Sequence, residues 1–139
     1  MENSAQPIAI ERNKSYTLRT TWGVLLDPGK TGYSNTIDFN VANIPDGATI
    51  TKIQIHVVDY STAGNGVVLA DPVTLIAPDG TEYVFTWRAG LNITITNIKH
   101  NDSNGKWQLY FYGKNLSTTP NFWASLLYER TDFTIYYTT

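Results

Sequence analysis

Apolar and polar residues alternate along this chain in short stretches that recur from one end to the other. The stretch 53–57, for example, reads Ile-Gln-Ile-His-Val. The same alternation recurs in the stretches 73–75, 83–87, 107–111 and 133–137. Because successive side chains of a β-strand point to opposite faces of the sheet, a period of two indicates strands that bury one face. No stretch of helical length keeps the helical period, so the sequence predicts an all-β fold.

Turn-forming residues separate the alternating stretches. Pro-Asp-Gly stands at 45–47 and 78–80, and Asn-Gly at 65–66 and 104–105. Proline presets the backbone φ of a turn, and glycine and asparagine tolerate positive φ. The sequence predicts strands at 7–12, 15–22, 35–41, 49–60, 66–77, 82–87, 92–98, 106–113, 123–128 and 131–138. Many short strands between turns are typical of sandwiches and barrels, and we predict a jelly-roll-like antiparallel β-sandwich of about eight to ten strands.

The length of 139 residues fits a single domain, 1–139, with a core of its own. The first predicted strand is short and begins at a proline, so residues 1–13 are expected to form an N-terminal arm or an edge strand. The longest predicted connections are 23–34 and 114–121, with a polar tip at 61–65. Loops carry functional residues more often than sheet faces do, although these segments are also explained as plain crossovers between sheets.

Composition excludes several classes of function. The net charge is −2 and the Lys and Arg residues are scattered, which argues against nucleic acid as a partner because phosphate binding needs a basic patch. The absence of cysteine excludes disulfides, thiolate zinc sites and thiol nucleophiles. Apolar runs are too short to span a bilayer, and no signal peptide is recognisable. If Met1 is the native start, synthesis in the cytoplasm is expected, with a virion or extracellular surface as candidate destinations.

No catalytic motif stands out in the chain. The segment 23–31 is close to a phosphate-binding P-loop, but it has one residue too many between its glycines and precedes a predicted strand instead of a helix. His56 and His100 are the only histidines, and neither has a partner at metal-ligand or triad spacing. We therefore expect that the protein is not an enzyme.

Two carboxylates are the candidate metal ligands. Asp59 and Asp71 stand at opposite ends of the 61–65 excursion, so they are placed to meet in space. Carboxylate oxygens are ligands that calcium prefers, although caps and turns are the more common role for aspartate. Apart from this calcium site, no cofactor is expected.

Asn-x-Ser/Thr sequons occur at Asn13, Asn92, Asn101 and Asn115. They are acceptor sites for N-glycosylation when they lie on the surface of a secreted protein. In a chain this rich in asparagine and threonine such sequons also arise by chance, so they are weak evidence for glycosylation.

The phase of the aromatic residues indicates a core and a candidate surface. Trp107 and Phe111 fall on the apolar phase of their strand and are predicted to be buried. Tyr110, Tyr112 and Tyr136 fall on the opposite phase. If their strands are neighbours, Tyr110 and Tyr136 form an outward-facing platform that suits a sugar ring or a partner protein. The alternatives are a cross-strand pair that only stabilises the sheet, or burial under a loop.

Several segments resemble the P domain, the β-sandwich that follows the protease in kexin- and furin-like convertases. They are 49–56 (TITKIQIH), 73–81 (VTLIAPDGT), 104–111 (NGKWQLYF) and 133–135 (FTI). Their order agrees with the family, and the resemblance covers roughly residues 35–138. It departs from the family at 61–65, which replaces a Gly-Asp-Leu segment, and no protease is present. The resemblance implies a jelly-roll sandwich without catalytic residues, and no protease-stabilising role is carried over.

These observations predict a non-catalytic β-sandwich that acts through its surface. The first expectation is a structural or adhesive subunit of a virion, phage or surface fibre, which forms a homo-oligomer or joins a larger protein assembly. The alternative is a carbohydrate-binding module, or a P-domain-like accessory domain of a secreted protein, with a glycan as ligand.

Overall fold

The structure is a computed structural model that describes residues 10–98 and 103–139, and these residues form β-strands and no helix. The strands are β1 (Glu11–Leu18), β2 (Trp22–Leu26), β3 (Thr31–Tyr33), β4 (Ile37–Val41), β5 (Thr49–Gly64), β6 (Val68–Ile76), β7 (Glu82–Phe85), β8 (Asn92–Ile95), β9 (Gly105–Asn115) and β10 (Ala124–Thr138). The predicted all-β fold is confirmed. Within these described ranges, no helix is long and apolar enough to cross a membrane.

The strands form two antiparallel sheets that pack face to face. In the first sheet, β1 and β2 lie along one edge and pair with β10, which is followed by β5 and β8. In the second sheet, β3 and β4 lie along one edge and pair with β9, which is followed by β6 and β7. The chain changes sheet after β2, β4, β5, β7, β8 and β9, which is the connectivity of a jelly roll. The predicted jelly-roll-like sandwich is confirmed, with ten strands among the described residues.

The core lies between the two sheets and is rich in aromatic rings. In β9, Trp107 and Phe111 are fully buried and alternate with half-buried residues. Trp107 packs against Phe133 of β10, with 5.7 Å between the ring centroids. The core position predicted for Trp107 is confirmed. The same alternation turns Tyr110 and Tyr112 toward the outer face of the second sheet.

The N-terminal part of the described chain forms one edge strand instead of two strands. Strands are predicted at 7–12 and 15–22, whereas the structure has the single strand β1 and then β2. Of the predicted arm or edge strand at 1–13, residues 11–13 pair with the end of β10, and residues 1–9 lie outside the described residues. Among the described strands only β10 pairs with β1, so β1 lies at a sheet edge.

The connection predicted at 23–34 is wrong, because β2 and β3 lie within it. The polar tip predicted at 61–65 is also wrong, since β5 continues to Gly64. These segments pair with strands that are distant in the chain: β2 and the end of β5 pair with β10, and β3 pairs with β9. Long-range hydrogen bonding thus extends the sheets through segments whose own sequence resembles a loop.

The stretches predicted as separate strands at 123–128 and 131–138 form one strand, β10. The register of its pairing with β5 shifts on both sides of Arg130. Tyr128 and Phe133 are both buried, although strict alternation would place them on opposite faces. A bulge changes the phase of the alternation without ending the strand, so the sequence pattern breaks where the strand does not.

Candidate functional site

A group of exposed and half-buried aromatic and apolar side chains lies on the outer face of the second sheet. It consists of Tyr33, Pro72, Val84, Tyr110 and Tyr112, which we call the tyrosine surface. Tyr33 is 69% exposed and is the direct cross-strand partner of Tyr112. Together with a neighbouring threonine, these residues line a hollow of about 290 Å³. The surface therefore joins residues from β3, β6, β7 and β9.

The tyrosine rings form the walls of this hollow. The Tyr33 ring lies 5.8 Å from the ring of Tyr110 and 4.9 Å from that of Tyr112, at interplanar angles of 69° and 62°. Such edge-to-face contacts are favourable and hold the rings in place. Because the rings are tilted, they enclose a concave space instead of a flat platform. Such a hollow accommodates a protruding group, such as a side chain of a partner protein.

Exposed charges differ in sign at the two ends of the tyrosine surface. Lys114 lies at one end of β9 beside β3, and Lys30 precedes that strand. Asp38 of β4 and Glu82 of β7 lie toward the other end, where Lys106 of β9 is also exposed. The turn that precedes Lys30 adds an exposed carboxylate, so one end carries two ammonium groups against one carboxylate, and the other carries two carboxylates against one ammonium.

Tyr136 does not belong to this surface. Its strand, β10, lies in the first sheet, whereas β9 lies in the second. The hypothesis that Tyr110 and Tyr136 share a platform is therefore wrong, because outward-facing residues of the two sheets lie on opposite sides of the sandwich. The Tyr136 hydroxyl donates a hydrogen bond to Oε1 of Gln54 at 2.9 Å, and Nζ of Lys52 lies 4.5 Å from the ring centroid. Tyr33 was missed by the sequence reasoning because β3 lies in a segment predicted to be a loop.

The candidate calcium ligands lie on different sheets. Asp59 is on β5, where it pairs in register with Arg130. Asp71 is on β6, and its Oδ1 accepts a hydrogen bond of 2.8 Å from the Thr86 hydroxyl. In residues 10–98 and 103–139, no three or more His, Asp or Glu side chains are grouped so that they could hold a metal ion. Calcium binding by this pair remains an untested prediction.

His56 lies on the first sheet, whereas the tyrosine surface lies on the second. His56 is exposed on β5, in register with Asp132 of β10 and Asn92 of β8. His100 and the sequon residue Asn101 lie outside the described residues. The described part of the chain thus gives His56 the solvated position expected of a surface histidine.

Asn115 has a structural role that its sequon does not indicate. The residue is fully buried, and its Nδ2 donates hydrogen bonds to the carbonyl oxygens of Leu26 and Phe122. Its Oδ1 accepts a hydrogen bond from the Ser117 amide at 3.0 Å. The amide therefore connects the end of β2 to the β9–β10 connection. A glycan on Asn115 would disrupt these hydrogen bonds, so this sequon is not an acceptor site in the folded protein.

Strongly alkaline pH is expected to destabilise the protein through Tyr128. Burial raises the pKa of its phenol from 10.0 to about 12. The unfolded chain therefore ionises first, and stability that is fully present below pH 10 is lost as the pH rises through 12. The loss is about 2–3 kcal/mol, at about 1.4 kcal/mol per pKa unit. Tyr128→Phe removes the ionising group, so urea unfolding at increasing pH should show a shallower decline for this variant. Parallel declines in the two proteins would contradict the assignment.

No protein-family model matches the chain, and no curated protein matches it at a significant level. The segments that resemble the P domain lie in β5, β6, β9 and β10, and these are the inner strands of the two sheets. Inner strands of many β-sandwiches share this alternation, so the relationship to P domains remains a proposal.

Proposed function

We propose that this chain is a non-catalytic structural or adhesive subunit that assembles with copies of itself through the tyrosine surface. The observation that supports the proposal is that exposed Tyr33, Pro72 and Val84 lie together with half-buried Tyr110 and Tyr112 on one sheet face. Contiguous exposed apolar patches mark interaction sites, and tyrosine is enriched at protein interfaces. A virion, phage or surface fibre is the kind of assembly that such a subunit would serve.

The charges around the tyrosine surface favour a second copy of this chain as the partner. In a twofold interface the same patch meets itself in the opposite orientation. A twofold axis that runs across the strands near Tyr110 brings the end with Lys114 and Lys30 in one copy over the end with Asp38 and Glu82 in the other. Ends of opposite net charge thus meet twice, while Lys106 at the acidic end reduces this attraction. Such complementarity determines orientation and partner choice more than it determines affinity.

Sedimentation velocity of the full chain should therefore show an assembly that dissociates on dilution. Tyr33→Ser combined with Tyr110→Ser should raise the dissociation constant by at least about 10-fold, because aromatic anchors contribute most of the energy of an interface. Tyr136→Ser is the matched control, since it removes an outward-facing tyrosine from the other sheet, and it should leave the association unchanged. A monomer at every concentration up to the submillimolar range would overturn the proposal.

A charge reversal tests the orientation separately. Lys114→Glu should weaken association because it removes a positive charge from the basic end and adds a negative one. Adding Glu82→Lys to the same chain should restore it, since it reverses a charge at the other end, which the twofold arrangement places over the first. If the double variant is weaker than Lys114→Glu alone, the twofold packing is incorrect.

A carbohydrate-binding module, or a P-domain-like accessory domain, is the second candidate function. The hollow between the tyrosine rings contains Thr74, whose hydroxyl is suited to a sugar. A monomeric protein with a glycan-array signal that is lost on Tyr110→Ala, with little change in melting temperature, would favour this function over self-assembly.

A further inference from the structure

A cleft at one end of the sandwich has the chemistry of a ligand site. It lies between the start of β6 and the β7–β8 connection and has a volume of about 430 Å³. Its lining includes Leu69, Asp71, Thr86, Trp87, Arg88 and Tyr128, none of which belongs to the tyrosine surface. Pockets of several hundred Å³ with an apolar lining and a few polar groups are typical of small-molecule sites.

Two aromatic rings that contact the core form the inner part of the cleft. The Trp87 indole lies 6.0 Å from the Tyr128 ring at an interplanar angle of 86°. It also contacts Trp22 at 6.4 Å and Phe85 at 5.3 Å, so core packing holds its orientation. Tyr128 is 1% exposed. Its hydroxyl is uncharged at physiological pH, as it is at the ordinary tyrosine pKa of 10.0. The inner wall therefore offers an uncharged, preorganised and mainly aromatic surface.

The outer part of the cleft carries one charge of each sign. Oδ1 of Asp71 accepts the hydrogen bond from Thr86, which orients the carboxylate and leaves Oδ2 for a ligand. The pairing of β6 with β9 is irregular between Ala70 and Val73, and such irregularities re-aim side chains. Arg88 is exposed and provides a planar fork of N–H donors. The ion pairs among the described residues, Lys52–Glu11 and Arg130–Asp132, involve neither group.

We propose that this cleft binds a neutral sugar, as a monosaccharide or as the terminal unit of a glycan. Sugar hydroxyls donate to a carboxylate and accept from a guanidinium, while the C–H face of the ring packs on an indole. The rim carries one charge of each sign. An anionic ligand would be repelled by the Asp71 carboxylate, and a cationic ligand would be repelled by the Arg88 guanidinium. A wholly apolar ligand would desolvate both charges without compensation. Glycan binding here is a function additional to self-assembly through the tyrosine surface.

The test is an array of neutral and acidic glycans probed with the full chain, followed by calorimetric titration of the best neutral sugar. Asp71→Asn and Arg88→Gln should each weaken binding by at least about 10-fold, since each removes a charged hydrogen-bonding partner. Asp46→Asn and Arg12→Gln are the matched controls, because they remove exposed charges at the other end of the sandwich, and they should bind as the wild type does. Melting temperatures close to that of the wild type establish that all four variants are folded.

Three results would overturn the glycan site: no sugar binding at millimolar concentration, binding of acidic glycans alone, or a neutral sugar whose affinity is unaffected by Asp71→Asn and Arg88→Gln. In the last case, loss of sugar binding in Tyr110→Ala would indicate that the sugar binds at the tyrosine surface. The Tyr33→Ser and Tyr110→Ser double variant, which should not self-associate, should still bind the sugar. The two proposals can therefore fail independently.

Discussion

Trp107→Ala is expected to lower the free energy of unfolding by about 3–5 kcal/mol, the range for large aromatic side chains removed from cores. Trp107 is 0% exposed and packs against Phe133. Its Nε1 donates a hydrogen bond of 2.8 Å to the carbonyl oxygen of Ser103, which would lose this donor. Truncation therefore leaves both a cavity and an unpaired acceptor. Urea denaturation of the two proteins measures the difference.

Trp123→Ala provides the matched control for the tryptophan prediction. Trp123 precedes β10 and is 43% exposed. Its truncation therefore leaves space that is largely open to solvent and creates little enclosed cavity. We expect a loss of about 1 kcal/mol or less, in line with substitutions at exposed positions. If Trp107→Ala lowers the free energy of unfolding no more than Trp123→Ala does, the assignment of Trp107 to the core-facing side of β9 is incorrect.

Gly64→Ala is expected to cost about 2–4 kcal/mol, because it combines backbone strain with a steric clash. Gly64 ends β5 with a φ of +84°, a value that residues with a side chain rarely adopt. A Cβ at this position would lie 2.2 Å from the carbonyl oxygen of Trp123. Since that oxygen is a backbone atom, the β9–β10 connection would have to move away from the end of β5. Thermal and urea unfolding should both report the loss.

Gly47→Ala separates the two contributions to this loss. Gly47 has a φ of +77°, but a Cβ there would meet no atom within 4 Å. It should therefore show only the strain of the left-handed conformation, about 1–2 kcal/mol. Equal losses for Gly64→Ala and Gly47→Ala would show that the Trp123 carbonyl relaxes without cost.

Only part of the tyrosine surface can be predicted from the sequence. Alternation along β9 places Tyr110 and Tyr112 opposite to Trp107, and this prediction of face can be made from a few consecutive residues. It does not reveal which strand lies next to β9. Tyr33 completes the surface through a pairing with Tyr112 that spans most of the chain, and Tyr136 is excluded because β10 joins the other sheet.

The cleft depends still more on tertiary structure. Asp71 was singled out from the sequence as a calcium ligand with Asp59, whereas Trp87, Arg88 and Tyr128 carried no signal of a shared site. Their convergence requires β6, the β7–β8 connection and β10 to meet at one end of the sandwich. No local sequence pattern indicates that these three elements lie together, because their positions result from the order in which the strands enter the two sheets.

Short stretches of the chain are enough to predict the all-β class, the inward phase of residues such as Trp107, and the turns that contain Gly47 and Gly80. These features are local: side-chain alternation and positive φ depend on a residue and its immediate neighbours. Three features depend on tertiary structure. The strands β2 and β3 form within a segment that resembles a loop, and β10 continues through the bulge at Arg130. The third feature is the set of strands that share each sheet. The physical reason is that backbone hydrogen bonds between strands join residues far apart in the chain, and any strand offers the same donors and acceptors to every candidate neighbour.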